Sequence, residues 1–238
     1  MPDTSRTSVG ERVRAAASRL NHRLDAELLL AFVLKRDRSW LIAHAEALLT
    51  DPQLDQLERL IERRERGTPM AYITGIREFY GRDFQVSPAV LIPRPETELL
   101  VDQALDLALP ETCRVLDVGT GSGCLILTLL AERPGWSGAA IDLSPDALAM
   151  AQRNQKWLGL ANRSIEWITG SVLSPLSINP NPRFELIVSN PPYVAEGDAH
   201  LDQGDLRFEP TLALSSGTDG LDMIRQLIDQ TPHHQENG

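Results

Sequence analysis

Apolar residues recur at two different periods along the chain, and the switch between them divides it. From residue 24 to residue 64 the spacing is helical: Leu24, Leu28, Leu29 and Phe32 share one face, as do Leu54, Leu57, Leu60 and Ile61. Thr50-Asp51-Pro52 marks the start of the later helix, with proline in its first turn. Arg63, Arg64 and Arg66 crowd its last turn before Gly67, where positive charge suits the negative end of the helix dipole. Residues 1–70 therefore read as a small helical domain, close to the lower size limit for an independent fold.

Residues 71–93 change character. Phe79-Tyr80-Gly81, Phe84-Gln85-Val86 and Val90-Leu91-Ile92 read as short extended pieces broken by Gly81 and Pro88, a hairpin-like linker. Pro95-Glu96-Thr97-Glu98 then opens a helix through Leu99, Leu100, Val101, Ala104 and Leu105, with acids in its first turn. Beyond Pro110 short apolar runs alternate with helix-length segments. Val115 to Val118, Ala139 to Asp142, Ile165 to Ile168 and Glu185 to Val188 read as strands, with helices over Leu125–Ala131 and Ser144–Trp157. Strands separated by helices argue for a mostly parallel sheet covered on both faces, so residues 94–238 read as one α/β domain.

Charge adds a constraint. The 238 residues hold 33 acidic and 23 basic side chains, a net charge of −10. Residues 1–75 carry 12 basic and 11 acidic groups, whereas residues 76–238 carry 11 basic and 22 acidic. A protein that wraps a nucleic-acid backbone normally presents a basic stripe, so a direct nucleic-acid substrate is disfavoured. No apolar run approaches the length of a membrane span, and Met1 to Arg6 lack the apolar core of a secretory signal. A cytoplasmic protein follows, with Cys113 and Cys124 as reduced thiols rather than a disulfide framework.

Two stretches carry chemistry. Asp117-Val118-Gly119-Thr120-Gly121-Ser122-Gly123 falls at a strand-to-helix turn, where glycine lets the backbone turn tightly and a ligand approach closely. Glycines at alternate positions depart from the dinucleotide fingerprint, whose sixth position is here Cys124. Asp142, 19 residues past Gly123, ends the second strand, where a carboxylate accepts bonds from ribose hydroxyls. Taken alone, the turn suits S-adenosylmethionine, with a dinucleotide or a plain turn as alternatives. The second stretch, Asn190-Pro191-Pro192-Tyr193, follows the fourth strand at the carboxyl edge, where open α/β sheets bind ligands. Its prolines stiffen the loop, so the Asn190 side-chain oxygen and the Pro191 carbonyl stand as paired acceptors for a planar –NH2 group. Tyr193 offers a ring face on which a flat amide or base packs.

With these residues the chain resembles the class I S-adenosylmethionine-dependent methyltransferases that methylate amino groups, and within them the release factor glutamine methyltransferases of HemK/PrmC type. The resemblance runs through Ala71 to Gly75, Glu78-Phe79, Val90 to Glu98, Leu116 to Gly123, Asp142 to Ser144, Val188 to Tyr193, Glu209-Pro210 and Ala213 to Asp222. It implies a Rossmann-like domain and methyl transfer to the glutamine of the Gly-Gly-Gln motif in peptide chain release factors. It implies a monomer whose helical domain helps recognise that partner. Asp117, Gly119, Thr120, Gly121, Ser122, Gly123, Asp142 and Asn190 would contact the cofactor. Asn190, Pro191, Pro192 and Tyr193 would hold the substrate. Family members often carry an acid after the third strand to touch adenine; here Ser171-Val172 stands in that place, and Val172 is the assigned contact. Thr231 to Gly238 would end the chain before the family's fifth strand and closing antiparallel pair, which predicts that the apolar run Leu186-Ile187-Val188 is partly exposed. An adenine amino methyltransferase and an inactive truncated relic remain as other readings. His233-His234, with no further ligands beside it in sequence, does not make a metal site.

Overall fold

A computed structural model of the chain describes residues 7–177 and 182–234. The extreme ends on which part of the terminal reading rests, residues 1–6 and 235–238, lie outside the described residues. The chain divides into two compact units, residues 1–74 and residues 75–238.

The first unit is helical: α1 (Val9–Leu20), α2 (Arg23–Leu34), α3 (Arg38–Ala43), α4 (Asp51–Glu65) and α5 (Met70–Thr74). The reading from apolar spacing begins at residue 24 and so leaves out α1. That helix carries an apolar stripe of Val9, Val13, Ala16, Ala17 and Leu20, and it is capped: Ser8 accepts from the Glu11 N–H while the Glu11 carboxylate accepts from Ser8 N–H, a capping box. Leu29, Leu30, Leu57 and Ile61 are fully buried in the centre of this unit. The arginines at the end of α4 are used inside it, with Arg64 on Asp25 at 2.6 Å and Arg63 donating to the Tyr72 carbonyl.

The second unit opens with an antiparallel hairpin, β1 (Ile76–Phe79) and β2 (Arg82–Gln85). Tyr80 and Gly81 form its turn with φ of 52° and 72°, the positive pair a two-residue hairpin requires. Val90 to Ile92, expected to be extended, belongs to neither strand. Val90 N–H closes a turn onto the Ser87 carbonyl, and Ile92 N–H goes to the Glu209 carboxylate, so both donors are satisfied outside a sheet.

A short 3-10 turn at Pro95–Thr97 leads into α6 (Glu98–Asp106). Then follow β3 (Arg114–Val118), α7 (Cys124–Glu132), β4 (Ser137–Asp142), α8 (Pro145–Trp157), β5 (Ile165–Thr169), β6 (Leu186–Ser189) and α9 (Asp222–Gln230). The four strands β5-β4-β3-β6 pair in parallel in that order. Alternate side chains face opposite layers: Val115 and Ala140 pack with α6 and α7, while Leu116, Val118, Ala139 and Ile141 pack with Leu173 and Phe184. Because β4 and β6 flank β3 on opposite sides, chain direction diverges there, and a crevice opens at the strands' carboxyl ends.

The exposure expected for the last strand is corrected at two of its three residues. β6 pairs only with β3 among the described residues, yet Leu186 and Val188 are each 9% exposed and Ile187 is half-buried. A strand at a sheet's end leaves its outer backbone groups unpaired, but its faces are still covered. Leu186 and Val188 sink into the α6–α7 side, and Ile187 packs in the layer that holds Met223 and Leu227 of α9.

Candidate active site

β3 runs out at Val118 and the chain turns at Gly119 and Gly121, whose φ values of 74° and 56° would strain any other residue. Asp117 organises the turn from behind. One carboxylate oxygen accepts from Thr120 Oγ1 at 2.7 Å and from Ile126 N–H at 3.3 Å. The other, Oδ1, has no partner among the described residues. Complete burial pushes this carboxyl up to about 7, because the charged form loses its water while two donors only partly replace it. Gly123 caps α7 where α8 comes close; a Cβ there would sit 3.1 Å from that of Ala151.

Asp142, at the end of β4, faces the same turn. Its two oxygens accept from Gly121 N–H at 2.8 Å and Ser144 N–H at 2.9 Å. Burial raises its carboxyl above the ordinary range, and the backbone donors pull the other way. Asn154 on α8 is a residue the sequence reading missed. Fully buried, it donates to the carbonyls of Ser122 and Gln85 and accepts from Gln85 N–H, joining the turn to the hairpin.

Across the crevice, Ser189 donates to the Val118 carbonyl at 2.7 Å and so ties the end of β6 to the end of β3. Asn190 follows, its Nδ2 donating to Thr97 Oγ1 at 3.2 Å. The loop beyond is braced by residues 214–220. Val194 N–H goes to Leu214 O, Ser216 N–H to Val194 O and Glu196 N–H to Gly217 O. Gly220 lies so close that a Cβ would stand 2.4 Å from the Tyr193 carbonyl oxygen, so only glycine fits. Glu209, its side chain fully buried, accepts from Ile92 N–H at 3.0 Å and from the Arg94 guanidinium.

These pieces enclose a cleft with about 200 Å³ of interior space. Of the residues singled out in the sequence, Gly119, Thr120, Gly121, Ser122 and Asp142 line one part of it. Val172, Asn190 and Pro192 line it too. Asp117 and Gly123 are buried behind the turn, Pro191 is half-buried, and Tyr193 is 65% exposed. Val172 is held at a φ of 49°, a strained conformation for a β-branched side chain. Thr97, Leu212 and Met223 also line the cleft and were not anticipated. Thr97 lay inside a stretch read as a helix start and as part of the family resemblance, with no site role given to it, and no spacing marks the other two.

Among the described residues, no three His, Cys, Asp or Glu side chains are grouped so as to hold a metal ion, and no helix is long and apolar enough to cross a membrane. His234 is buried, with Nδ1 3.4 Å from the Pro182 carbonyl.

A parallel sheet with its glycine turn after the central strand and an Asn-Pro-Pro-Tyr loop after the neighbouring one defines a class I, Rossmann-like methyltransferase. Residues 95–206 match the methyltransferase small domain and residues 11–75 the PrmC N-terminal domain. The chain is 46% identical over 209 residues to the release factor glutamine methyltransferase of Escherichia coli (strain K12), covering 88% of this chain and 74% of that one. It is 46% identical over 226 residues to the release factor glutamine methyltransferase of Koribacter versatilis (strain Ellin345), covering 94% and 79%. This chain belongs to the release factor glutamine methyltransferase family. In fold alone it is similar to the crystal structure of the hMettl16 catalytic domain in complex with a MAT2A 3'UTR hairpin. That similarity has a TM-score of 0.52 at 15% identity, over 79% of this chain and 65% of that one.

Proposed function

We propose that this protein transfers a methyl group from S-adenosylmethionine to the side-chain amide nitrogen of the glutamine in the Gly-Gly-Gln motif of peptide chain release factors. The observation that carries this reading is the placement of Asn190 and Pro192 in the same cleft as the glycine turn and Asp142.

The residues fit the cofactor. A Cβ at Gly121 would meet nothing within 4 Å, so a ligand can reach that backbone. Asp142 spends one bond per oxygen on Gly121 and Ser144, and each carboxylate oxygen has a further lone pair for a ribose hydroxyl. Asp117, enclosed behind the turn, would act on the cofactor only through the Thr120 hydroxyl and the Ile126 N–H that it holds. Gly119, Thr120, Ser122 and Gly123 would shape the methionine end, and Val172 would pack at the adenine end.

S-adenosylmethionine, when bound, supplies a methyl group made electrophilic by its sulfonium. The chain's own task is alignment, because an amide nitrogen is a poor nucleophile whose lone pair is delocalised. Asn190 Oδ1 and the Pro191 carbonyl would each accept one N–H of the substrate amide, holding the nitrogen toward the methyl donor. They also favour the more tetrahedral nitrogen that forms as positive charge develops. The proton of the methylated nitrogen is then acidic enough to leave to water, so no dedicated base is needed. Tyr193, largely exposed, would pack beside the incoming amide. The helical domain at residues 1–70 would recognise the release factor, with the protein acting as a cytoplasmic monomer on a protein rather than a nucleic acid.

The test is incubation of the protein with isotope-labelled cofactor and, in separate tubes, a release factor and DNA. Label on the Gly-Gly-Gln glutamine supports the reading; label on DNA alone refutes it.

A further inference from the structure

We propose that Thr97 is a positioning residue that holds the Asn190 amide at the wall of the cleft, with Oδ1 left to face the substrate. The inference rests on the reading of Asn190 as an acceptor for the glutamine amide. Thr97 stands at the junction of the 3-10 turn and α6, where threonine ordinarily bonds the first free N–H groups of the helix. Here it does not. Its backbone is helical, with φ −69° and ψ −20°, rather than extended, and its side chain makes no cap bond. The preceding 3-10 turn already supplies acceptors, since Glu98 N–H reaches the Pro95 and Glu96 carbonyls. The hydroxyl is thereby released for Asn190 Nδ2, at 3.2 Å.

An asparagine amide has a donor end and an acceptor end of nearly the same shape, and turning it by half a circle exchanges them. With Nδ2 held by Thr97, Oδ1 is the end left for a substrate –NH2. Turned over, the side chain would present two N–H donors to two N–H donors, and the substrate could not be held. Thr97 is itself placed firmly. It is 6% exposed, its N–H is bonded to the Arg94 carbonyl, and the turn before it is anchored by Glu209 through Arg94 and Ile92. A rigid hydroxyl at the wall of the cleft fixes where the Asn190 amide sits.

The experiment compares the full chain with Thr97→Val, which keeps the shape and removes the hydroxyl, and Thr97→Ser, which keeps the hydroxyl. We expect Thr97→Val to lower kcat on a release factor about tenfold or more, the scale of one lost hydrogen bond, with the KM for S-adenosylmethionine unchanged. Thr97→Ser should restore most of the loss. A second readout needs no turnover. In 15N spectra, with the Asn190 side-chain signal assigned by its disappearance in Asn190→Ala, exchange of its amide hydrogens with solvent should quicken in Thr97→Val and not in Thr97→Ser. Wild-type kcat with unchanged exchange in Thr97→Val, or equal impairment of both variants, overturns the proposal. If the wild-type protein methylates no release-factor glutamine, the reading of function fails, and the exchange measurement still decides whether Thr97 holds the amide.

Discussion

The side chains that anchor the two walls of the cleft reach over different lengths of chain. On the glycine-turn side, the bonds made by Asp117 and Asp142 span between 2 and 21 residues. On the Asn190 side, the bond to Thr97 spans 93 residues, and those from Glu209 to Arg94 and Ile92 span 115 and 117. Apart from Asn154, which ties Ser122 to the hairpin at Gln85, the bonds of the first wall lie within β3, α7, β4 and the turn that follows to Ser144, and that continuous stretch carries its own signature. A wall of distant bonds exists only after the chain has closed on itself, and the loop-closure entropy must be met before any bond repays it. The first wall is a motif; the second is a product of the fold.

The largest expected effect lies at the root of the local wall. Asp117 has its folded carboxyl pushed up to about 7 from an ordinary 3.8. Between those values the unfolded chain has released its proton while the folded protein keeps it, so stability falls as pH rises through that window and levels off above it. At about 1.4 kcal/mol for each tenfold change in proton affinity, the total is on the order of 4 kcal/mol. Asp117→Asn, neutral throughout, should lack this slope. Denaturant unfolding of both proteins from pH 4 to pH 8 should show the difference between them growing with pH. A constant difference would mean that Asp117 is charged in the fold.

At the distant wall, Glu209→Ala should destabilise the protein by about 2–3 kcal/mol, since it strands a guanidinium and a buried N–H. The arginine side chain remains 32% exposed and keeps some water, which holds the loss below that of a fully buried pair. Methyl transfer should fall further than cofactor affinity, because the segment carrying Thr97 loosens while the glycine turn does not. Equal losses in both would contradict the separation of the walls. Asp142→Ala should weaken cofactor binding by about 1–3 kcal/mol, read by calorimetry. The smallest effect concerns the thiols. Burial pushes the Cys113 thiol up to about 11, so it should not react with a thiol reagent at neutral pH in the folded protein, whereas Cys124 is partly exposed and lines the cleft. Rapid labelling of Cys113 would show that the core around it opens readily.

The difference between the walls also explains what was legible in the sequence. β3, β4, β5 and β6, α7 and α8 fall where period and punctuation put them, and the glycine turn and Asp142 meet as their spacing implies. Each of these depends on neighbours in the chain. Thr97, Asn154, Glu209 and Met223 were not legible as site residues, since their partners or cavity come from elsewhere in the fold. Val90 to Ile92 looked extended because apolar β-branched residues fit a strand, yet a single buried carboxylate 117 residues away claims the Ile92 N–H. The helix α1 was missed although it carries both a capping box and an apolar stripe of Val9, Val13, Ala16, Ala17 and Leu20; the small alanines make that stripe faint in the sequence.

The most direct test of two separately built and separately acting walls is a crossed measurement on Asp142→Ala and Asn190→Ala. Each variant is scored for cofactor Kd by calorimetry and for methyl transfer to the release-factor glutamine by mass spectrometry at saturating cofactor. Asp142→Ala should raise Kd and recover much of its transfer when cofactor is saturating. Asn190→Ala should keep a near-normal Kd and lose transfer at least about 100-fold, the scale of a lost transition-state contact. An Asn190→Ala protein that transfers methyl groups at the wild-type rate, or whose whole deficit follows from weakened cofactor binding, would contradict the account.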